Sequence, residues 1–309
     1  MASLAPDYGV RLVAISRRGY PGSTPYSREE LETMKSTDNE RFRSHWETRG
    51  HEYITFIDKF SRQNNLPPVS QDGRTGGIVL AGWSLGVAHA LMAISSSSTF
   101  PDEQVRRRLG GYIRSLVLYD GGFPMFGFES PAQSWTPMQI SISDRLRYAF
   151  FGQWISAYFT HEDASSRNPE FLSWIIPATD RVPSIFTISN QSPLESYPIQ
   201  CFDAAVAAPD IMSVHGSNSQ QILHSAYETT FYDPVLVRLF PHMRIHVLCG
   251  ERTAGQCVAA FWAVQEDEKN RRDNGSSMAR TVEYTWATGA NHFIQWDDPE
   301  TALKLFMKV

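Results

Sequence analysis

Residues 76–86 read Gly76-Gly77-Ile78-Val79-Leu80-Ala81-Gly82-Trp83-Ser84-Leu85-Gly86, and this stretch decides the fold. An apolar run of strand length passes into a Gly-x-Ser-x-Gly pentapeptide and then into a helix-forming run, which is the context a nucleophile elbow requires. A serine in so sharp a turn is held in a strained backbone conformation, and a Cβ at Gly82 or Gly86 is expected to collide with the neighbouring strand or helix. The turn lifts the Ser84 hydroxyl to the head of the following helix. There the Leu85 N–H and the helix N-terminus can stabilise negative charge on a substrate oxygen. Glycine and serine also build ordinary turns, so the pentapeptide draws its weight from the strand before it and the helix after it.

A serine nucleophile needs a base within hydrogen-bond reach, and imidazole suits because its pKa lies near neutrality. The chain has nine histidines, and any one of them could be an ordinary surface or core residue. His292 alone follows a β-rich run, Thr281 to Ala287, on a glycine-containing loop, Thr288-Gly289-Ala290-Asn291-His292-Phe293, ahead of a terminal helix expected from Pro299.

Taken in order, these segments resemble the α/β-hydrolase family. Val10 to Ile15, followed by Ser16-Arg17-Arg18-Gly19-Tyr20-Pro21-Gly22-Ser23, resembles the family's fourth strand and its glycine-rich turn. The elbow at Ser84 resembles the end of the fifth strand, Tyr112 to Tyr119 the sixth, Arg244 to Cys249 the seventh and Thr281 to Ala287 the eighth. The resemblance implies an α/β fold, a mainly parallel sheet with helices on both faces and a helical cap inserted between the sixth and seventh family strands. It also implies a catalytic order of serine, acid, histidine, which Ser84 and His292 satisfy.

The acid departs from the family's commonest pattern, an aspartate just after the seventh strand. That stretch reads Gly250-Glu251-Arg252-Thr253, with threonine at the expected place. Asp120, in Leu118-Tyr119-Asp120-Gly121-Gly122 at the end of the sixth strand, is the preferred substitute, with Glu251 as the alternative. The family's second oxyanion donor comes from a loop after the third strand, often marked by a His-Gly pair, and no such segment is present. Met1 to Gly9 resembles the tail of the helix that follows that loop. Two expectations follow: a chain that starts inside the fold, with on the order of 40 residues of strand and loop encoded upstream, which is preferred, or a natural short form that lacks half the oxyanion hole.

At 309 residues, 42% hydrophobic and 12% aromatic, the chain can bury one sizeable core and an accessory segment. No apolar run approaches the ~20 residues of a membrane span. A net charge of −5 gives no basic field for nucleic acid, and Arg106-Arg107-Arg108 reads as a solvated helix end. Cys201, Cys249 and Cys257 form neither metal-ligand spacing nor an even disulfide set, so the expectation is no metal, no cofactor and a reducing, cytoplasmic setting. Phe42, Trp46, Tyr53, Ile57 and Phe60 share one face of a long helix, whereas Ser95 to Ser98 and Asp267 to Ser277 read as polar loops.

The chain divides on this reading into a first core part at 1–121, a cap at 122–241 and a second core part at 242–309. The cap is too long for a simple crossover and is rich in Phe150, Phe151, Trp154, Tyr158, Phe159, Phe171, Trp174 and Ile175. Placed over the serine, it would exclude water and line an apolar pocket. The expected activity is serine hydrolysis, or acyl transfer, of an ester, thioester or lactone carrying bulky apolar groups, including steps of small-molecule secondary metabolism. The alternative is a non-catalytic α/β-hydrolase-like protein that binds a ligand or partner.

Overall fold

The structure is a computed structural model that describes residues 1–188, 209, 211, 213–215, 218–275 and 280–308. A 3-10 turn at Ala5–Tyr8 precedes α1 (Arg28–Met34) and the long α2 (Asn39–Gln63), whose N-cap Asp38 accepts from the Glu40 and Arg41 N–H groups. Then come β1 (Ile78–Trp83), α3 (Gly86–Ser95), α4 (Glu103–Tyr112) and β2 (Ile113–Tyr119). Between β2 and the next strand lie only helical elements among the described residues: α5 (Phe123–Phe126), α6 (Asp144–Ile155), α7 (Ser184–Ile188), α8 (Ser219–Tyr232), α9 (Pro234–Leu239) and two short 3-10 turns. The chain returns through β3 (Arg244–Gly250), α10 (Gly255–Asp273), β4 (Val282–Ala287), α11 (Ile294–Asp297) and α12 (Pro299–Met307).

All strand pairs are parallel, in the order β1-β2-β3-β4. Alternation along the strands sends their side chains to two cores. Leu116, Leu118, Ile245, Val247 and Cys249 join a large cluster with Phe42 and Trp46 of α2, Val87 and Leu91 of α3, Tyr227 of α8 and Phe261 of α10. Val117, Tyr119, Leu248 and Ala287 point the other way, to Ala302, Leu305 and Phe306 of α12. Helices therefore cover both faces of a parallel sheet, as such sheets demand. No helix among the described residues is long and apolar enough to cross a membrane.

Three sequence expectations are corrected. Val10 to Ile15 forms no strand: β1 has no partner on its outer side among the described residues, and Leu12, Val13 and Ile15 stay exposed. The outer edge of β1 is open to it, so strand-like residues alone do not make the stretch pair. Asp267 to Asp273 is not loop but the last turns of α10, kept helical by the pairs Arg271–Asp267 and Arg272–Glu268 and by Asp267 accepting from Tyr227 and Tyr232. Cys201 lies outside the described residues, while Cys249 and Cys257 are buried free thiols.

The third correction concerns the elbow. A Cβ on Gly82 would sit 2.6 Å from the Gly86 carbonyl oxygen and 2.9 Å from the Val87 Cα, both backbone atoms that cannot swing aside. A Cβ on Gly86 would meet nothing within 4 Å outside its own helix. Only the first glycine is sterically required. Gly82→Ala should therefore lose roughly 1–3 kcal/mol of stability by overpacking, while Gly86→Ala should change it by less than about 1 kcal/mol, in the stabilising direction of helix propensity. Urea midpoints of the two variants check this, and equal losses would refute it.

Candidate active site

The four strands end together, and parallel α/β sheets bind ligands at that edge. Trp83 and Tyr119 are register partners, as are Tyr119 and Leu248. The ladder runs one step further: the Ser84 N–H donates to the Tyr119 carbonyl at 2.9 Å, and the Asp120 N–H to the Leu248 carbonyl at 3.0 Å. Both residues then leave the sheet in the left-handed region, Ser84 at φ 53° and Asp120 at φ 50°. Non-glycine residues pay roughly 1–3 kcal/mol for such a conformation and hold it only where surroundings dictate it. Here the onset of α3 does so for Ser84, whose carbonyl accepts from the Val87 N–H at 2.9 Å.

Asp120 is 2% exposed and both its carboxylate oxygens are engaged. Oδ1 accepts from the Gly250 N–H at 2.8 Å, and Oδ2 lies 3.2 Å from Nδ1 of His292. A carboxylate only accepts, so this contact places the imidazole proton on Nδ1 and leaves Nε2 as the basic nitrogen. The His292 backbone is clamped as well: its carbonyl accepts from the Trp83 indole N–H at 2.8 Å, and the two rings pack with centroids 5.4 Å apart. Tyr119 Oη donates to the Asn291 carbonyl, and Asn291 Nδ2 donates to the Ser156 carbonyl and to Ser184 Oγ.

The structure thus brings Asp120 and His292 together and leaves Glu251 apart. Glu251 is exposed, with its carboxylate on the Gly289 N–H at 2.8 Å. Thr253, at the family's usual acid position, is fully buried. Leu85 is the N-cap of α3, and its N–H has no hydrogen-bond partner among the described residues. The Ser84 hydroxyl likewise has no hydrogen-bond partner among the described residues.

Cys257 enters the sequence reading only as one of three cysteines without metal-ligand spacing, yet its thiol donates to the Asp120 carbonyl at 3.5 Å. Asp120, Cys257 and His292 form a buried cluster of metal-type donors. Their chemistry fits an acid–imidazole pair better than a cation, because both Asp120 oxygens already accept and burial pushes the Cys257 thiol well up. Trp83, Tyr119 and Asn291 were also missed as supports. Only the alternation of Tyr119 with the buried β2 residues hinted at an inward tyrosine.

Of the aromatic and apolar side chains that the sequence singled out in 122–241, Trp154 and Phe159 join Phe293 and Trp83 in one cluster and Trp174 joins the main core, whereas Phe150, Phe171 and Ile175 are exposed. None of the eight side chains named in the sequence lines a cavity of about 740 Å³, which is walled instead by residues including Phe42, Phe123, Met138 and Tyr148.

Among solved structures, the chain is similar to a carboxylesterase of the ammonia-oxidizing thaumarchaeon Nitrososphaera gargenis, at 10% identity and a TM-score of 0.42, covering 99% of this chain and 81% of that one. It is also similar to E-2-(acetamidomethylene)succinate hydrolase, at 15% identity and 0.33, over 100% and 87%. A third is the peroxisomal alpha-beta-hydrolase Lpx1 of Saccharomyces cerevisiae, at 11% and 0.31, over 85% and 58%. No curated protein matches the sequence. A family model, the alpha/beta hydrolase family, matches residues 1–304. With that match spanning nearly the whole chain, the protein belongs to the alpha/beta hydrolase family.

Proposed function

We propose that the protein is a serine hydrolase of carboxylic esters, thioesters or lactones, with Ser84 as nucleophile, His292 as base and Asp120 as the acid that orients it. The observation that carries this reading is the 3.2 Å contact of His292 Nδ1 with Asp120 Oδ2, beside a serine held at φ 53°. Ser84 Oγ attacks the acyl carbon while its proton passes to His292 Nε2, and the Leu85 N–H stabilises the oxyanion. Collapse expels the alcohol or thiol, which takes the proton from His292. Water, deprotonated by the same nitrogen, then releases the acid and restores Ser84. Asp120 keeps Nδ1 protonated and stabilises the imidazolium without itself taking the proton.

The helical segment 122–241 is the lid in this reading, and its ties to the site support that role. Asn291 reaches Ser156 and Ser184, Tyr158 Oη donates to Asp297 at 2.6 Å, and Arg252 pairs with Asp180 at 2.7 Å. The aromatic cluster against Trp83 favours a substrate with bulky apolar groups. A second reading, a non-catalytic ligand-binding protein, is favoured by one observation: Leu85 is the one oxyanion donor identified among the described residues. A fluorophosphonate probe separates the two, since a hydrolase is tagged at Ser84 and a binding protein stays unmodified.

Ser84→Ala and His292→Ala should each remove nearly all turnover of the best ester found, and the double variant should lose little more, because members of one catalytic unit do not act additively. Retention of most turnover by either single variant would refute the assignment. Asp120→Asn should cost on the order of 10⁴-fold in kcat, as amide replacement of the acid does in the serine-protease template. Glu251→Gln should be nearly silent. The reverse pattern would move the acid role to Glu251.

A further inference from the structure

His161 is tied at both ring nitrogens, and the two ties run in opposite senses. The Ser173 N–H donates to Nδ1 at 3.0 Å, and Nε2 lies 3.0 Å from the Thr253 carbonyl oxygen. A backbone N–H only donates and a carbonyl only accepts, so Nδ1 is bare and Nε2 carries the proton. This is the reverse of His292, whose Nδ1 faces a carboxylate.

The ring stands on a seam. His161 and Ser173 belong to the helical segment 122–241, whereas Thr253 lies on the loop between β3 and α10. Across the same seam the Phe159 N–H donates to the Arg252 carbonyl at 2.9 Å, the Gly255 N–H donates to the Ser173 carbonyl at 3.2 Å, and Arg252 pairs with Asp180 at 2.7 Å. A Cβ on Gly255 would sit 2.9 Å from that Ser173 oxygen, so the two backbones are pressed together where the imidazole joins them. The loop held in this way also carries Gly250, whose N–H is bonded to Asp120.

Only the neutral imidazole fits both ties. A second proton has to go to Nδ1, where it would point at the Ser173 N–H and put two donors face to face in place of a hydrogen bond. Arg252 faces the ring from the core side, with its charge shared by Asp180 of the segment. Glu162 and Asp163, the exposed chain neighbours of His161, form no ion pair with it. Burial, and after it the field of Arg252, push the imidazole below the usual histidine range, against the opposing pull of the Thr253 carbonyl. The unfolded chain therefore takes up the proton first. Stability carried by the ties is whole above the usual ~6.5 and is lost as the pH falls below it.

We propose that His161 is a pH-sensitive clasp: neutral, it fastens the helical segment to the loop behind Asp120, and protonated, it lets go of Ser173 and loosens the seam. The clasp acts on packing and stands whether or not Ser84 is a nucleophile.

Ring-nitrogen NMR of the histidines in the full-length protein, followed from neutral pH down to about pH 5, tests it by finding where His161 titrates. Hydrogen exchange is measured on the same protein and read as protection factors, in which the intrinsic pH dependence of exchange cancels. His161, assigned through its backbone, should show the Nε2–H form at neutral pH. Protection of the peptide containing Ser173 should fall by roughly tenfold as His161 titrates, the scale of one lost backbone hydrogen bond, while peptides of β2 and β3 stay protected. His161→Gln keeps an acceptor and a donor but takes up no proton, so its Ser173 peptide should hold its protection over the same range. An Nδ1–H form at neutral pH, protection that fades away from the His161 midpoint, or an equal loss in His161→Gln would each overturn the proposal. If His161→Gln does not fold, the tautomer and the shared midpoint in the unsubstituted protein decide it alone.

Discussion

The structure depends on two adjacent strands ending in the same strained conformation. Ser84 and Asp120 each follow a register partner, Trp83 and Tyr119, and each donates one last ladder bond before turning into positive φ. Strain of roughly 1–3 kcal/mol at each is stored at one edge of the sheet. It persists because the surroundings leave no alternative: the Gly82–Gly86 approach fixes the first turn, and the Gly250 N–H and Cys257 thiol hold the second. Side chains that would otherwise alternate away from the edge are thereby both presented at it.

The histidine reaches that edge by a different route. His292 lies on a loop beyond β4, where backbone alone positions nothing, so its place is set by contacts. The Trp83 indole, the Tyr119 hydroxyl and the Asn291 amide tie the loop to β1, to β2 and to the helical segment in turn. Every one of these groups is buried or half-buried, where an unmade hydrogen bond is costly, so the loop is held from three sides without a regular element of its own. The same Asn291 amide makes the position of His292 sensitive to the packing of residues 156 and 184, which belong to the segment read as the lid.

The sequence shows most of the sheet because its strands are short apolar runs with turn chemistry at their ends. The stretches around Ser84, Leu118 and Val247 carry that signal, and their strands appear within a residue of the reading. Val10 to Ile15 carries the same local signal yet forms no strand, because a strand is made by its neighbour's ladder rather than by its own propensity. Asp267 to Asp273 fails in the opposite sense. Its polarity resembles a loop, but its charges are spaced by four residues, which on a helix become the pairs that stabilise it. Ser84, Asp120 and His292 were all legible as candidates. The sequence preferred Asp120 to Glu251 without closing the choice, since it turns on which carboxylate lies within reach of one imidazole, a distance across 172 residues of chain.

The same geometry bears on what kind of acid Asp120 can be. Glu251 sits on the next strand end and could be imagined reaching the imidazole, but its oxygen is already the acceptor that closes the Gly289 turn, in contact with solvent. Asp120 has a rigid donor on one oxygen and the imidazole on the other, and is itself buried. A carboxylate so placed has no rotational freedom to lose when the imidazole becomes charged, and the low local polarity strengthens the attraction at that moment. Pre-organisation of this kind comes from burial as much as from identity. An acid of the right type at an exposed strand end would pay in solvent reorganisation what Asp120 has already settled in the folding of the chain.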